Sequence, residues 1–315
     1  MNNPIRIGTR GSKLALWQAN WTKSFLEKKF ASTPIELTII KTQGDKILDV
    51  PLAKVGGKGL FVKEIEDALL TGRIDIAVHS MKDMPADIPA GLCIGAIPER
   101  ENPVDVFISR TGAGFTKMPA GSVIGTSSLR RGAQLRHARP DIVIQPIRGN
   151  LDTRLKKLES ENFDALVLAA AGVQRLNLEH KITEYLDATV MLPAIGQGAL
   201  CVEIRTDDPT VGPMVAAMNH ASTHAVVSGE RAFLKRLEGG CQVPIAGHGT
   251  ISNNTFTLTG LVADVDGSQV VKGQKSGPIA SSETIGIDLA EELLARGADK
   301  ILEQLKTIAN EGYES

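Results

Sequence analysis

Residues 5–41 read IRIGTRGSKLALWQANWTKSFLEKKFASTPIELTIIK. The stretch opens with the β-type run IRIGT and closes with a second β-type run, IELTIIK. Between them, Ser12 stands where it can cap a helix. The apolar residues of that helix recur at helical spacing: Leu14, Trp17, Trp21 and Phe25. A strand, a helix and a strand in this order predict an α/β architecture with largely parallel sheets.

The same alternation continues further along the chain. GGKGLF at 56–61 runs into a predicted helix that Gly72 stops, and the strand IDIAVH then leads to the polar turn SMKDMP. The pattern breaks at PERENPV, 98–104, and a strand resumes in LPAIGQGALCVEIR, 192–205. We therefore expect these two segments to be a pair of crossings between domains.

The length of 315 residues suits two or three domains. The two crossings predict a discontinuous first domain, and the region from about residue 222 has an α+β pattern of its own. The predicted division is domain 1 at 1–99 and 200–217, domain 2 at 105–193, and domain 3 at 222–315.

The overall composition argues against several classes of protein. Lys and Arg number 35 against 36 Asp and Glu, which disfavours a general nucleic-acid or membrane binder. The first residues, MNNPIRIGTRGSK, lack the apolar run of a signal peptide, and no stretch approaches the roughly 18 apolar residues of a membrane helix. We expect a cytoplasmic protein. The three cysteines are too widely spaced to indicate a disulfide framework or a zinc site, so we expect no metal.

Positive charge is concentrated in residues 121–157, which hold six arginines and two lysines against Asp141 and Asp152. Arg130 and Arg131 follow a strand-to-helix turn, where the hydroxyls of Thr126, Ser127 and Ser128 and free backbone N–H groups would gather around an anion. Arg148 follows the neighbouring strand, DIVIQPI. Such a cluster suits a small ligand with several carboxylates or phosphates.

Two other interpretations of this basic segment stay open. A solvated helix face is the favoured interpretation for Arg136, Arg139, Lys156 and Lys157. Nucleic acid is a competing ligand, but residues 116–162 contain no Phe, Trp or Tyr for base stacking.

Asp83, in HSMKDMP, follows a buried-looking strand. An aspartate in a turn is usually a cap, but in a cleft lined by cations it could stabilise a developing positive charge or move a proton. His79 could act as an acid or base, although a hydrogen-bonded structural role is the commoner one. Arg10 and Ser12, where the first strand meets the first helix, would add polar groups on the same side.

The remaining candidates lie in loops. Lys54 and Lys58 flank glycines that lack the spacing of an ATP-binding loop, and residues 42–58 could form a flexible lid. Cys93 and Cys201 lie in apolar strands and are expected in the core. Cys241, in EGGCQVP, lies in an irregular loop, where a structural and a reactive role are equally open.

Seven blocks of the sequence, in order, resemble the porphobilinogen deaminase family. They are IGTRGSKLALWQ at 7–18, GGKGLFVKEIE at 56–66, AVHSMKDMP at 77–85, IGTSSLRR at 124–131, RGN at 148–150, LPAIGQGAL at 192–200 and EGGCQVP at 238–244. The departures are small: Gly11 and Lys13 replace residues that are commonly Gln and Pro, and Met84 stands where Val is common.

The resemblance implies two lobes of the periplasmic-binding-protein type and a third domain that presents Cys241. It implies a dipyrromethane cofactor joined to Cys241 by a thioether, onto which four porphobilinogen units are added head to tail with loss of ammonia. Water then releases the linear tetrapyrrole. It also implies a monomer whose partners are porphobilinogen and the growing polypyrrole chain, with no nucleic acid or membrane.

The resemblance also implies roles for individual residues. Asp83 would be catalytic, and Lys54 and Lys58 would belong to a mobile lid. The cofactor would be bound by Cys241, Lys82, Asp83, Thr126, Ser127, Ser128, Arg130, Arg131, Arg148 and Gly149. The substrate would be bound by Arg10, Ser12, Arg148, Asn150, Arg154 and Gln197, of which Gln197 would also lie at the hinge.

A non-catalytic two-lobed binding protein is the main alternative from a different class. It would share the fold and the anion-binding residues, but it would have no use for Cys241 and would carry no covalent adduct.

Overall fold

The computed structural model describes residues 4–46, 59, 61–238 and 243–311. These residues form two compact units: unit 1 comprises 4–46, 59, 61–101 and 198–224, and unit 2 comprises 102–197, 225–238 and 243–311. The division into three domains stays a prediction.

Unit 1 is built around one five-stranded sheet in the order β2-β1-β3-β10-β4. Its strands are β1 (Ile5–Thr9), β2 (Ile35–Ile39), β3 (Ile76–Ser80), β4 (Leu92–Ala96) and β10 (Leu200–Arg205). Its helices are α1 (Lys13–Lys29), α2 (Gln43–Lys46), α3 (Lys63–Leu70) and α7 (Val211–Ala216). Apolar clusters pack against the sheet, one around Ile7 and Leu26 and another around Ile65 and Leu69.

The opening βαβ stretch folds as predicted. Ser12 caps α1 by accepting a hydrogen bond from the backbone N–H of Ala15 at 3.3 Å. β1 pairs with β2 in parallel, with Ile5 opposite Ile35. The cap and the apolar helix face are local features, which explains why the sequence was sufficient to predict them.

The first part of unit 2 is a second five-stranded sheet in the order β7-β6-β8-β5-β9. Its strands are β5 (Asp105–Ser109), β6 (Val123–Gly125), β7 (Val143–Gln145), β8 (Ala165–Ala169) and β9 (Glu184–Tyr185). The helices are α4 (Leu129–Ala138), α5 (Leu151–Ser160) and α6 (Ala170–Arg175). The strand order matches that of unit 1. In each sheet, the strand that follows a crossing segment, β10 in unit 1 and β5 in unit 2, lies next to an edge strand.

The sheets are mixed, which corrects the expectation of largely parallel sheets. β10 is antiparallel to β3 and β4, and β5 is antiparallel to β8 and β9. β5 and β10 each follow a crossing segment instead of a crossover helix. Because only the crossover connection requires its two strands to run in parallel, they were free to enter the sheet in the opposite direction.

The C-terminal part of unit 2 is an α+β layer. An antiparallel meander of β11 (Ile245–Ser252), β12 (Thr255–Ala263) and β13 (Val270–Pro278) packs with α8 (Ala221–Arg236), α9 (Ser282–Leu293) and α10 (Asp299–Glu311). Phe233, Phe256 and Leu289 are fully buried in its core. The fold class is therefore α/β, with two lobes, the first discontinuous, and a small α+β C-terminal part.

The turn between β12 and β13 packs on α4. The Arg136 guanidinium donates to the carbonyl of Val265 at 3.0 Å, and His137 Nδ1 donates to the carbonyl of Gly267 at 3.0 Å. Gly267 has a φ of +79°, and a Cβ there would lie 2.4 Å from the carbonyl oxygen of Ala133. The close approach and the backbone angle together require glycine.

Candidate functional site

A pocket in unit 1 brings together three of the predicted site residues: Arg10, Ser12 and Asp83. Arg10 directly follows β1, Ser12 caps α1, and Asp83 ends the short helical turn that follows β3. β1 and β3 are parallel neighbours, so their carboxyl ends lie at the same edge of the sheet. Further polar or aromatic lining comes from Gln18, Phe61, His79 and Ser80.

Arg10 is held by three contacts at the pocket. Its Nε lies 3.1 Å and its Nη2 2.5 Å from Oδ1 of Asp45, and its guanidinium lies over the Phe61 ring at 4.2 Å from the centroid. Burial by itself would raise the pKa of Asp45, but hydrogen bonds and charge from Arg10, with help from Thr42, lower it overall. Asp45 is therefore an ionised partner.

Two further residues tie the pocket wall together. Gln18 Nε2 donates to the hydroxyl of Ser80 at 2.9 Å, which joins α1 to the end of β3. Lys82 is half-buried in the turn between Ser80 and Asp83. The position of Asp83 is thus set by a strand end and a short turn on a rigid sheet.

A buried cluster of ionisable groups is formed by β3, β10 and α3. His79 Nε2 lies 3.0 Å from Oε2 of Glu203, and both side chains are almost completely buried. His79 pairs with Cys201 in the ladder and Ala77 pairs with Glu203, so His79 and Glu203 lie on the same face of the sheet. His79 is therefore hydrogen-bonded, as the structural interpretation expects, while its role stays a prediction.

Glu66, on α3, completes this cluster. Burial raises the pKa of Glu66 from 4.5 to about 7, and the charge of Glu203 adds to that increase while His79 opposes it. Glu66 is 7% exposed. Its Oε1 has no hydrogen-bond partner within the described part of the chain. A second buried carboxyl group therefore interacts with His79, which lines the pocket.

Arg130 and Arg131 in unit 2 share one carboxylate. Arg130 Nη1 lies 2.7 Å from Oδ2 of Asp105, and Arg131 Nη2 lies 2.7 Å from Oδ1. The two guanidinium groups also donate to the carbonyls of Leu192 at 2.7 Å and Val167 at 2.9 Å. Two positive charges on one negative charge leave an excess of one.

The pair is also buried. Arg130 and Arg131 are each 5% exposed. Burial lowers the pKa of Arg131, an effect that Asp105 opposes and the neighbouring charge of Arg130 reinforces. Gln197 belongs to the same network, because its Nε2 donates to Oδ1 of Asp105 at 3.0 Å and to the carbonyl of Pro103 at 2.7 Å.

The three predicted hydroxyl side chains, those of Thr126, Ser127 and Ser128, lie at the turn that precedes α4. Ser128 is the N-cap of α4 and accepts from the backbone N–H of Arg131 at 3.4 Å. Thr126 is buried and accepts from the backbone N–H of Ser128 at 3.2 Å. Ser127 donates to the carbonyl of Ile147 at 2.7 Å. These hydroxyls and the two arginines therefore share one helix N-terminus.

The RGN segment lies between β7 and α5. Arg148 is half-buried, and Gly149 adopts a φ of +115°. Asn150 is exposed as the N-cap of α5, and Arg154 donates from Nε to the carbonyl of Gly149 at 2.8 Å. Because β7 pairs in parallel with β6, this segment and the Thr126–Ser128 turn lie at the same sheet edge.

Three predicted residues, Cys241, Lys54 and Lys58, lie outside the described residues. Of the other cysteines, Cys201 is buried in β10 as expected, and Cys93 is half-buried in β4. Burial raises the pKa of the Cys93 thiol, and nearby acidic groups add to this although Thr206 opposes it. The causes that raise the pKa of Cys93 are the opposite of those that make a thiol reactive.

Several residues were not identified by sequence reasoning. Two of them, Asp45 and Asp105, contact predicted site residues that are distant in sequence. Glu203 contacts His79, and Glu66 interacts electrostatically with both of these residues. Glu203, inside the apolar run ALCVEI, did carry a signal, because a carboxylate within a buried strand needs a partner. Asp45 carried none beyond its turn-like context.

The described residues hold no cluster of His, Cys, Asp and Glu suited to a metal ion. Among the helices of that same part of the chain, none combines the length and the apolar character needed to cross a membrane.

The fold and the sites define a class: an α/β protein of two lobes with matching strand order, whose pockets and strand ends carry arginines and hydroxyls suited to a ligand with several carboxylates. Comparison with known families then identifies the group. Residues 5–212 match the dipyrromethane cofactor binding domain of porphobilinogen deaminase, and residues 225–295 match the C-terminal domain of the same enzyme. The chain belongs to the porphobilinogen deaminase family.

Similar proteins cover nearly the whole chain. The porphobilinogen deaminase of Geobacter metallireducens is 58% identical over 301 residues, which is 96% of this chain and 94% of that protein. That of Pelobacter propionicus is 56% identical over 301 residues, 96% of this chain and 97% of the relative. That of Carboxydothermus hydrogenoformans is 52% identical over 311 residues, 99% of this chain and 100% of the relative.

Proposed function

We propose that this protein deaminates four porphobilinogen molecules, joins them head to tail on a covalent dipyrromethane primer, and releases hydroxymethylbilane by hydrolysis, as a transferase of haem and other tetrapyrrole biosynthesis. The observation that carries the proposal is the placement of Asp83 in one pocket with Arg10 and Ser12. This pocket supplies both a group for carboxylates and a group for a developing positive charge.

The residues of unit 2 fit a dipyrromethane by the chemistry of their donors. Each ring of this group carries an acetate and a propionate, so the ligand is a polyanion. Arg130 and Arg131 keep a net positive charge after pairing with Asp105, and the Thr126–Ser128 turn adds hydroxyls and a helix N-terminus. When bound, the dipyrromethane supplies the pyrrole carbon to which the first substrate is joined.

We assign the residues that would hold this group from the family resemblance of their motifs. Cys241 would carry it through a thioether, and Lys82 and Asp83 would contact it. Its carboxylates would be bound by Thr126, Ser127, Ser128, Arg130, Arg131, Arg148 and Gly149. The substrate carboxylates would be bound by Arg10, Ser12, Arg148, Asn150, Arg154 and Gln197, of which Gln197 acts through its contact with Asp105.

The reaction assigns a defined task to Asp83. The C–N bond of the aminomethyl group breaks, ammonia leaves with the electron pair, and positive charge spreads to the pyrrole nitrogen. A C–C bond then forms with a pyrrole carbon, which loses its proton. Asp83 accepts a hydrogen bond from the pyrrole N–H and stabilises this cation, and its carboxylate can move the proton that is lost. Its fixed position after β3 keeps it in place for each addition.

Intact mass of the denatured protein tests the proposal. Wild type, Cys241→Ser and Cys93→Ser are compared, the last as a control that removes a different thiol. We expect wild type and Cys93→Ser to carry the extra mass of two linked pyrrole units, and Cys241→Ser to lack it. An unmodified wild type that is active would overturn the proposed cofactor, and an unmodified, inactive one would favour a non-catalytic binding protein.

We further propose that the enzyme acts in the cytoplasm as a monomer, which rests on the family resemblance. We also propose that it has no nucleic-acid or membrane partner, which its near-zero net charge supports. Light scattering should give the mass of one chain. Nucleic acid that binds at physiological salt, with affinity falling steeply as salt rises, would contradict the proposal.

A further inference from the structure

Asp45 places a carboxylate of the chain itself on the guanidinium of Arg10. Both oxygens of Asp45 lie within 3.3 Å of Arg10 Nε, and Oδ1 lies 2.5 Å from Nη2. The two nitrogens on this side of the guanidinium, Nε and Nη2, therefore both contact the Asp45 carboxylate, mainly through Oδ1. An incoming carboxylate that used the same two nitrogens would need the position that Asp45 holds.

The Asp45 carboxylate is held from behind by Thr42. The Thr42 hydroxyl donates to Oδ2 of Asp45 at 2.9 Å, and the Thr42 backbone N–H lies 3.3 Å from the same oxygen. The segment is also joined to α3, because the backbone N–H of Gln43 donates to Glu64 at 2.9 Å. Asp45 is therefore presented to Arg10 by a short, tethered segment.

The pair is partly exposed, which allows exchange. The side chains of Arg10 and Asp45 are 22% and 28% exposed. Ion pairs that reach solvent are weak, because water screens the attraction and can solvate each partner after separation. The Arg10 guanidinium carbon also lies over the Phe61 ring, 4.2 Å from its centroid, a contact that does not involve Asp45.

We propose that Asp45 is a specificity-determining residue, an internal carboxylate that occupies Arg10 until a carboxylate of the substrate displaces it. The inference rests on the proposed function, because it concerns the substrate pocket of that reaction. A ligand with one carboxylate gains little by the exchange. A ligand that brings two carboxylates and a group for Asp83 gains enough other contacts to complete it.

Steady-state kinetics of the active holoenzyme test this inference. Asp45→Asn keeps the size of the side chain and an oxygen for Thr42 but removes the charge. We expect its KM for porphobilinogen to fall about two- to five-fold, the range that a weak ion pair implies. Asp45→Glu should restore the wild-type KM. Glu36→Gln, which removes an equal charge from an exposed position of unit 1, should leave KM unchanged.

A KM for Asp45→Asn that is unchanged or higher would overturn the proposal, because a residue that only positions Arg10 would weaken substrate binding when lost. Thermal unfolding of each variant shows whether a raised KM comes from loss of folded protein, and a variant that unfolds is replaced by Asp45→Ser in the same comparison.

Calorimetric titration with glutarate adds a measurement that needs no turnover. Glutarate carries two carboxylates and no pyrrole. Its affinity should rise two- to five-fold in Asp45→Asn, and this gain should vanish when Arg10→Gln is added, because the competition is for Arg10. A gain that persists without Arg10 would overturn the proposal. If the proposed function fails, no variant turns over porphobilinogen, whereas failure of this inference leaves wild-type turnover intact.

Discussion

Arg10 in unit 1 and Arg130 in unit 2 are both paired with an aspartate, but the two pairs differ in burial and in partners. Arg10 and Asp45 form a one-to-one pair at the edge of a pocket. Arg130 shares Asp105 with Arg131, is 5% exposed, and donates to a backbone carbonyl as well. The first pair can open to a ligand at little cost. The second is buried, so Arg130 and Arg131 would have to bind a ligand without losing Asp105.

The difference shows that arginines for which the sequence predicts the same role can differ in how accessible they are to a ligand. A buried ion pair loses far more when one partner is removed than an exposed pair does, because the remaining charge stays desolvated. We therefore expect the Asp105 network to affect stability first, and the Arg10 pocket to affect catalysis first.

The largest effect is expected for Asp105→Asn. It leaves two buried guanidinium groups without a charged partner, so the free energy of unfolding should fall by about 3 to 5 kcal/mol. Denaturant unfolding measures it. Asp141→Asn, which breaks the exposed pair with Arg139, is the matched control and should unfold at the wild-type midpoint. A small loss for Asp105→Asn would remove the contrast in stability.

Asp83→Asn should give the converse result. The variant keeps the shape of the turn but cannot stabilise the cation or accept a proton, so turnover should fall about 100- to 1,000-fold, roughly 3 to 4 kcal/mol of barrier. Its unfolding midpoint and its cofactor mass should stay those of wild type. Turnover within a few-fold of wild type would exclude Asp83 from the mechanism.

Glu66→Gln tests the buried cluster beneath the pocket through its pH dependence. Because the pKa of Glu66 is raised to about 7 in the folded state, the folded protein binds the Glu66 proton more tightly than the unfolded chain does. The folded state therefore loses stability as pH rises from about 4.5 to about 7, and the loss persists at higher pH. At roughly 1.4 kcal/mol per pH unit the upper bound is about 3 kcal/mol.

We expect Glu66→Gln to become more stable relative to wild type by about 2 to 3 kcal/mol between pH 4.5 and pH 8. Neighbouring charges on the three packed elements, Glu203, His79 and Asp67, will modify the curve without changing its sign. Denaturant unfolding at several pH values measures the difference. For Glu36→Gln, at an exposed site, the difference in free energy of unfolding from wild type should not change with pH. A difference for Glu66→Gln that also does not change with pH would contradict the raised pKa of Glu66.

The smallest effect is expected at the turn that supports α4. Gly267→Ala places a Cβ against the backbone of Ala133 at a φ of +79°, whereas Gly121→Ala has the same φ with open space around it. Both variants carry the conformational cost, of about 1 kcal/mol. Gly267→Ala should lose about 1 kcal/mol more in denaturant unfolding. Equal losses would mean that the turn does not support the helix of Arg130 and Arg131 tightly.

Local patterns were sufficient for much of the fold and part of the site. The β1–α1–β2 unit, the Ser12 cap and the strand before Asp83 depend on residues close together in sequence. Strand direction was only partly predictable, because β5 and β10 follow crossings that impose no direction. The Arg-rich segment was recognised as a cluster, but its charge partner, Asp105, lies more than 20 residues away.

The sequence by itself determined the α/β class and the family through seven ordered blocks, and it predicted the residue types of the proposed anion-binding and catalytic groups. Tertiary structure alone decided which carboxylate each of these groups meets, since Asp45, Asp105 and Glu203 contact their partners from 35, 25 and 124 residues away. The physical reason is that helix and strand patterns depend on neighbours along the chain, whereas burial and charge pairing depend on contacts that exist only after the chain has folded.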